Sequence, residues 1–581
     1  MSTSPGTLAI PEGAHEIAPT PLDDIDAAVE VLTSNAKRWV DTTVEERIAI
    51  IDQLIRDTQD QAPEWSMAAA VHKQVSRDSA NMGVDMGTGP YATIRNLRLF
   101  RQTLDDIRLT GRPQPPAIRT APDGQVIVDV LPADWVDRAF YTGWQAEVRI
   151  QQGVDRAQVE ERMARIYRPD GKDEGGVATV LGAGNVSSIP AMDVLYKLFV
   201  EDRVCLLKMN PVNEYVGPYL TRAFQVLVDQ GYVRVVYGGA EQGIAVCQHP
   251  DVAEIHITGS DKTHDAIVYG TGEEGARRKA ADDPINTRPI SSELGNVSPV
   301  IVVPGPWSDR DLQFQGDNIA SMLINNGGFN CIATRMVVTH RHWNRRGALL
   351  DAIRSSMASA EEQYPYYPGA EDRWRAFVDA HPEAETYGAV GPGRVPWTLI
   401  ADLDPTATDD IAFTTEAFCG VFGETGLDAP RSVPDFIDQA VDFCNEDLWG
   451  TLAASILVHP KSLKDPAIAA AVERAIDKLR YGTIGVNVWS GIGYLLVRTS
   501  WGGYPGHANT DIQSGRGVVH NSYMLEDVEK SVIRAPWYSP VKPWWFHTFK
   551  HMKDLTRGLT NFESSLDPRE LAKVVTALLK G

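Results

Sequence analysis

The sequence contains few cysteines and no uninterrupted apolar run of membrane-spanning length. No C-x-x-C pair is present, so a zinc site of the common kind is not predicted, and we expect no metal. Residues 1–18 lack both a basic stretch and an apolar stretch, so we expect no signal peptide. The cysteines are odd in number and widely spaced, which argues against a disulfide framework and favours a soluble, cytoplasmic protein. They are Cys205, Cys247, Cys331, Cys419 and Cys444.

Positive charge is also in deficit. The 581 residues include 55 Lys plus Arg and 77 Asp plus Glu, which gives a net charge of −22. A surface this acidic argues against nucleic acid as the main partner, because phosphate contacts need a basic face. Apolar residues make up 43% and charged residues 23%, which excludes a mostly disordered chain. The length is typical of about two to four domains.

The chain begins without periodicity and then becomes helical. Residues 1–20 are rich in Pro, Ser, Thr and Gly, which predicts a loose arm. Thr43 and Glu46 have the spacing of a capping box at the start of an amphipathic pattern. From Gly124 onward, the β-rich runs VIVDVLP and AEVRIQQ flank a turn and predict an antiparallel pair.

Strand and helix patterns alternate from Gly175 onward. The clearest helix pattern covers 215–229, and Gly231 follows it as a stop signal. Short apolar strands with helices between them are typical of βαβ units, so we predict an α/β fold with a parallel sheet. The predicted strands cover 177–181, 204–208, 233–237 and 254–258.

Further along, 299–303 resembles a strand and 311–325 a helix. The charged stretch between Ser260 and Glu293 predicts a solvated surface loop. Residues 364–379 are aromatic and irregular, which predicts an insertion.

Several residues carry candidate chemistry. Gly182-Ala183-Gly184 after a strand suggests a dinucleotide turn, but Ser187 replaces the third glycine, and a tight turn without a ligand is an equal alternative. Cys331 follows two glycines in a loop, so it is either a reachable nucleophile or a buried, inert thiol. Glu293 beside a glycine turn is either a general base or a solvated loop charge. Glu416 is either an acceptor for sugar hydroxyls or an ordinary turn charge.

Taken in order, these segments resemble the aldehyde dehydrogenase superfamily. The resemblance covers about residues 20–525 and is firm between 177 and 505. It rests on short motifs in the expected order: Asn185, Lys208, Thr258-Gly259-Ser260, Glu293-Leu294-Gly295, Asn326 to Cys331, Glu416-Ala417-Phe418, Asn487 and Trp501-Gly502-Gly503.

The resemblance implies a Rossmann-type cofactor domain, an α/β catalytic domain and NAD(P)-dependent oxidation of an aldehyde to an acid. Cys331 would add to the aldehyde as a thiolate and pass through a thiohemiacetal and a thioester. The side-chain amide of Asn185 and the backbone N–H of Cys331 would stabilise the oxyanion. Glu293 would activate the water that hydrolyses the thioester.

The resemblance also implies the cofactor contacts. Gly259 and Ser260 would lie at a helix N-terminus facing the pyrophosphate. Lys208 would bind the adenosine ribose, and Glu416 would hold the nicotinamide ribose with Phe418 beside it. The cofactor is NAD or NADP, with NAD favoured.

Four positions depart from the family pattern. Pro211 stands three residues after the lysine, where the family often has a Glu or Ser that contacts the ribose, so the choice between NAD and NADP stays open. Phe329 replaces a glutamine, and Asn296 replaces the second glycine of a Glu-Leu-Gly-Gly motif. Arg335 follows the cysteine by four residues, one fewer than expected. We expect a divergent branch that keeps the catalytic pair.

The implied organisation has five parts. Residues 1–20 form the arm, 21–124 with 154–295 the cofactor domain, and 296–504 the catalytic domain. Residues 125–153 would form a bridging element with a strand near 505–525, within a 505–530 segment, which implies a homodimer or homotetramer. Residues 531–581 are a Pro- and Trp-rich extension that we expect to pack on its own or a neighbouring subunit.

Two alternatives remain open. In a CoA-acylating aldehyde dehydrogenase, CoA rather than water would take the acyl group, and Glu293 argues against this because acylating relatives generally lack that base. A non-catalytic binding or structural oligomer on the same scaffold is the second, and the joint presence of Cys331, Glu293 and Asn185 argues against it.

Overall fold

The computed structural model describes residues 5–8, 10–13, 15–77, 79–171, 174–430, 432–539 and 541–581. Residues 1–4, 9 and 14 of the predicted arm lie outside this described part. The longer helices are Leu22–Asp41, Val44–His72, Ala92–Thr110, Ile189–Glu201, Ala240–Gln248, Asp261–Tyr269, Gly272–Ala281, Asp309–Ile324, Arg346–Ser359, Ala370–Ala380, Val433–Glu446, Pro466–Lys478, Met552–Ser565 and Pro568–Lys580. The shorter helices are Val84–Met86, Trp135–Phe140, Arg156–Arg162, Gly217–Ala223, Gln225–Asp229, Ile411–Thr414 and Ile492–Leu496.

The first sheet has six strands and confirms the predicted α/β alternation. Its four central pairings are parallel, and only the edge pair of Gly515–Arg516 with Ile290–Glu293 is antiparallel. The inner strands are apolar and buried, as expected when helices cover both faces. In spatial order the strands are Gly515–Arg516, Ile290–Glu293, Val252–Thr258, Val177–Leu181, Val204–Lys208 and Val233–Val236.

The second sheet has eleven strands and joins the catalytic part to the predicted antiparallel pair. Its central strands are parallel, and the Glu385–Tyr387 edge and the strands beyond Val528–Arg534 are antiparallel. In spatial order they are Glu385–Tyr387, Trp397–Leu403, Val421–Leu427, Thr334–His340, Ser298–Val302, Ala453–Leu457, Thr483–Val486, Val528–Arg534, Gln145–Ile150, Val126–Leu131 and Ala117–Thr120.

The strand that pairs with the predicted bridging element differs from our expectation. Val528–Arg534 pairs antiparallel with Gln145–Ile150, later in the chain than the 505–525 segment. Its other edge pairs in parallel with Thr483–Val486 of the same chain. The apolar alternation that favours strand pairing lies in 528–534, whereas 505–525 is rich in glycine and forms only two-residue strands. A homo-oligomer stays a prediction.

Three local expectations need correction. The predicted helix over 215–229 is broken at Phe224, whose backbone leaves the helical region (φ −106°, ψ 20°) while its ring stays buried. The charged stretch after Ser260 contains the helix Gly272–Ala281 rather than only a loop, and Glu274 pairs with Arg277 along it. The predicted irregular insertion contains the helix Ala370–Ala380.

The capping box is confirmed: Glu46 N donates to Thr43 Oγ1, and the Glu46 carboxylate accepts from Thr43 N at 2.8 Å. Among the helices that the structure describes, none is both long and apolar enough to cross a bilayer.

Candidate active site

Cys331 lies at the end of a tight loop that follows the helix Asp309–Ile324. Asn326, Gly327 and Gly328 all adopt left-handed backbone angles, with φ of 55°, 68° and 79°. A Cβ on Gly328 would approach the backbone of Cys419 to 2.7 Å, so this glycine is needed for both conformation and space. The loop thereby folds back toward the sheet and presents Cys331 to a cavity.

Buried Arg335 holds this loop in place. Its Nη2 donates to the carbonyl oxygen of Gly328 at 2.6 Å, and its Nη1 donates to Val421 O at 3.2 Å and to Cys419 O. The planar guanidinium thus joins the cysteine loop to the segment that follows Glu416. Arg335 is one residue closer to Cys331 than expected, yet it contacts the loop directly.

Glu293 and Cys331 meet at the inner end of the cavity. Glu293 ends the strand Ile290–Glu293, where its side chain is buried beside the Cys331 thiol and its Oε1 has no hydrogen-bond partner among the described residues. Burial raises the pKa of Glu293 to about 8. Burial of the thiol and the neighbouring Glu293 also raise the pKa of Cys331. The resting pair is therefore a neutral thiol beside a carboxyl group that titrates near neutral pH, where a general base is most effective.

Asn185 lies against the same loop. It follows the strand Val177–Leu181, and its Nδ2 donates to the carbonyl oxygen of Phe329 at 2.9 Å. Its side chain lines the cavity together with Cys331. The amide has two N–H groups, and the bond to Phe329 engages one of them.

The residues predicted to bind a cofactor lie farther along the same cavity. Lys208 ends the strand Val204–Lys208, and Ser260 caps the helix Asp261–Tyr269 by accepting from Thr263 N at 3.1 Å. The structure brings all eight predicted site residues to one cavity of about 710 Å³, within the range of ~300–1,000 Å³ for ligand sites. They are Asn185, Lys208, Gly259, Ser260, Glu293, Cys331, Glu416 and Phe418.

Glu416 is buried in this cavity, and its Oε1 has no hydrogen-bond partner in the described ranges. Burial raises the pKa of Glu416 to about 8, although Arg335 and the backbone of Asn296 act in the opposite direction. A buried, unpartnered carboxylate oxygen beside an open volume fits an acceptor for a ligand hydroxyl. The ring of Phe418 packs edge-on against Tyr367, with centroids 4.9 Å apart.

Sequence reasoning missed three further parts of the site. The first is the N-terminal segment, which we define as the described residues of 5–13: Gly6–Thr7 pairs in parallel with Thr415–Glu416, and Thr7 N donates to Asp261 Oδ1 at 3.1 Å. The predicted loose arm therefore contacts the cavity, because its backbone groups find partners there. Nothing in its composition signals a strand.

The second part is a buried ammonium group beneath the cysteine loop. Lys73 Nζ lies 2.6 Å from Asp85 Oδ1 and 2.9 Å from Asn326 Oδ1. The hydroxyl of Tyr366 donates to the same Asn326 oxygen or to the carbonyl of Asn185, each at 3.1 Å. These residues come from segments far apart in the chain, so no local pattern could have identified them.

The third part is a polar chain beside Glu293. Thr258 pairs with Glu293 across the parallel strands, and its hydroxyl donates to Asp193 at 2.9 Å. The same carboxylate lies 3.4 Å from His256 Nε2, while His256 Nδ1 lies 2.9 Å from Ser291 Oγ. Among the described residues, no group of three or more His, Cys, Asp or Glu side chains is placed to bind a metal ion.

Part of the chain resembles known proteins in sequence. Residues 176–361 match the model of the aldehyde dehydrogenase family. This matched range contains Asn185, Lys208, Glu293 and Cys331. An aldehyde dehydrogenase of Enchytraeus buchholzi is 24% identical over 361 residues, which cover 57% of this chain and 62% of that relative. The match thus spans less than two thirds of the length of this curated relative.

Solved structures share the fold over most of the chain. An NAD-dependent aldehyde dehydrogenase from Sinorhizobium meliloti has a TM-score of 0.59 at 15% identity, covering 92% of this chain and 93% of that one. An aldehyde dehydrogenase from Mycobacterium tuberculosis complexed with NAD⁺ has a TM-score of 0.58 at 17% identity, covering 90% and 92%. The chain therefore shares the aldehyde dehydrogenase fold over most of its length, and residues 176–361 match the model of the aldehyde dehydrogenase family.

Proposed function

We propose that this protein oxidises an aldehyde to a carboxylic acid with NAD or NADP as hydride acceptor. The placement of the buried Glu293 carboxyl group beside the Cys331 thiol, in a cavity that Asn185 also lines, carries the proposal. A thiol paired with a base is the arrangement needed for nucleophilic attack on a carbonyl carbon.

The first step uses Cys331 and its surroundings. The thiol passes its proton to a base, and the thiolate forms a bond to the carbonyl carbon, which leaves a thiohemiacetal with a negative oxygen. The free N–H of the Asn185 amide and the backbone N–H of Cys331 donate to that oxygen. Donors placed in advance are worth about 10²–10³ in rate, because they need no reorganisation as charge develops.

When bound, a nicotinamide dinucleotide would supply the oxidising power as the acceptor of the hydride that leaves the thiohemiacetal carbon, which becomes the thioester carbon. The chain's own residues then release the product. Glu293 takes a proton from water, the water oxygen bonds to the thioester carbon, and the carbon–sulfur bond breaks to release the acid. Its pKa of about 8 lets Glu293 hold that proton near neutral pH.

Five residues fit the dinucleotide. The unpartnered Oε1 of Glu416 would accept from a ribose hydroxyl, with Phe418 beside it. Gly259 and Ser260 stand at the start of the helix Asp261–Tyr269, where backbone N–H groups favour a phosphate. Lys208 would bind the adenosine ribose in the same cavity. The two structural neighbours, an NAD-dependent enzyme and an enzyme complexed with NAD⁺, support this assignment.

Formation of reduced nicotinamide by the purified protein tests the proposal, over a chemically broad aldehyde panel with NAD⁺ and NADP⁺ in parallel. Turnover without CoA supports the hydrolytic reaction, whereas turnover that requires CoA would replace it with the acylating one. The Cys331→Ser variant should lose turnover and keep nucleotide binding. Cys444→Ala, which removes a buried thiol outside the cavity, is the matched control and should stay active.

A further inference from the structure

The N-terminal segment forms one wall of the cavity. Near Cys331 it runs beside Glu416 through the Gly6–Thr7 strand, and Lys262 Nζ donates to Pro5 O at 3.3 Å. Its other end lines the part of the cavity that contains Lys208. The cavity of about 710 Å³ lies between this wall and the predicted cofactor residues, so the segment leaves room for a ligand.

At the Lys208 end, the segment presents a carboxylate. Glu12 lines the cavity, and a Cβ on Gly239 would coincide with its carboxylate oxygen. Gly239 immediately precedes the helix Ala240–Gln248, so the absence of its side chain provides the space for Glu12. On the exposed side, Glu12 Oε1 lies 3.3 Å from His15 Nε2.

Lys208 and Glu12 are the complementary charges at this end. Burial lowers the pKa of Lys208 to about 8, while the carboxylates of Glu12 and Glu214 act in the opposite direction. In the described ranges, Lys208 Nζ has no ion pair within 4.0 Å. Glu214 does not line the cavity, and its Oε1 accepts from Ile17 N at 2.8 Å. Glu12 is thus the acid available to a ligand beside Lys208.

The residues that directly follow Lys208, 209–213, include no acid. Pro211, three residues after Lys208, has no side-chain donor or acceptor, and a Cβ on Gly13 would lie 3.5 Å from both Pro211 and Val212. The N-terminal segment therefore packs over Pro211, the position from which an acidic side chain near Lys208 could otherwise have come. Glu12 comes from 196 residues earlier than Lys208, by their numbers 12 and 208.

We propose that Glu12 is a specificity-determining residue that selects NAD⁺ over NADP⁺. An acidic side chain at the adenosine ribose accepts from its 2′-hydroxyl, whereas a 2′-phosphate needs a cation there. Glu12 would accept from the hydroxyl, and its charge would repel the phosphate beside the single ammonium of Lys208. This inference rests on the proposed function, because it assigns the cofactor of that same site.

Equilibrium binding of NAD⁺ and NADP⁺, by isothermal titration calorimetry, tests the proposal independently of turnover. The wild-type protein should bind NAD⁺ at least tenfold more tightly than NADP⁺. In Glu12→Gln the ratio of the two dissociation constants should fall by about tenfold, since a hydrogen bond to a charged group is lost together with the repulsion. Glu12→Arg should shift the preference toward NADP⁺, and the ratio of kcat/KM values should change in the same direction.

Glu16→Gln is the matched control, because it removes the same charge four residues later. Its carboxylate lies 3.2 Å from His72 Nδ1 and does not line the cavity, so the ratio should not change. An unchanged ratio in Glu12→Gln would overturn the proposal. An equal decrease of the dissociation constants of NAD⁺ and NADP⁺ in that variant would also overturn it. Such a result would mean that the N-terminal segment competes with both nucleotides for the cavity. If the wild-type protein binds neither nucleotide, the proposed function fails and this inference fails with it.

Discussion

Arg95 Nη1 donates to Glu563 Oε1 across 2.6 Å, although 468 positions separate the two residues in the chain. Arg98 Nε donates to the other oxygen of the same carboxylate. All three side chains are buried between the helices Ala92–Thr110 and Met552–Ser565. Burial would raise the pKa of Glu563, but the two guanidinium groups outweigh it and lower the pKa to about 2. The C-terminal extension is therefore docked on its own chain.

Removal of this carboxylate should destabilise the protein. We expect Glu563→Ala to lower the free energy of unfolding by about 3–5 kcal/mol, because two buried guanidinium groups lose their common partner. Thermal and urea unfolding measure the loss. Glu570→Ala, on the next helix and paired with Lys573 at the surface, is the control and should cost less than about 1 kcal/mol. Equal effects of the two substitutions would contradict the role given to Glu563.

The same group gives a pH dependence of stability. Its folded pKa, about 2, is below the usual glutamate value of 4.5, so the folded state favours the ionised form. The stabilisation is complete above the unfolded pKa and is lost as pH falls from about 4.5 to about 2. The stability difference between wild type and Glu563→Gln should therefore shrink over that window.

Glu293 should control hydrolysis of the acyl-enzyme. Its pKa is raised to about 8, and only the carboxylate accepts a proton from water. The deacylation rate should therefore rise with pH and reach half of its maximum near pH 8, as measured by single-turnover kinetics. In Glu293→Gln the acyl group should accumulate and appear as added mass on Cys331. Glu273→Gln, on an exposed helix, should leave the profile unchanged. Unchanged turnover in Glu293→Gln would show that another base acts.

Lys73 should act as a positioning residue, since it binds Asn326 in the cysteine loop at 2.9 Å. We expect Lys73→Met to lower kcat by about 10–100-fold with little change in nucleotide affinity, because small displacements of a nucleophile have large effects on rate. Lys37→Met, at an exposed ion pair with Asp41, is the control.

Lys73→Met alone leaves Asp85 buried without its cation, so a fold defect could mimic this effect. The double variant Lys73→Met/Asp85→Asn removes both charges and separates the two explanations. If this variant folds like the wild type and keeps its kcat, the positioning role is wrong.

Much of the fold follows from local pattern. The strands Val177–Leu181 and Val204–Lys208 have the predicted bounds, because runs of buried β-branched and apolar residues encode parallel strands directly. The apolar pattern over 215–229 predicts one helix, but the backbone leaves the helical region at Phe224, and the segment forms two shorter helices. The helix Gly272–Ala281 is held partly by ion pairs along its own surface. Its charged residues therefore support a helix, although a high charge density alone predicts a solvated loop.

The sequence by itself determined the order of the segments that carry Asn185, Lys208, Glu293 and Cys331, the strand that ends at Lys208 and the loop that carries Cys331. It did not predict the strand that ends at Glu293. Only the tertiary structure decided that Glu12 lines the same cavity as Lys208, that Lys73 supports the cysteine loop and that Glu563 binds Arg95. The physical reason is the separation along the chain over which each interaction acts. Periodicity and turn chemistry act between neighbouring residues, whereas these contacts depend on burial and charge pairing between segments that meet only after the chain has packed.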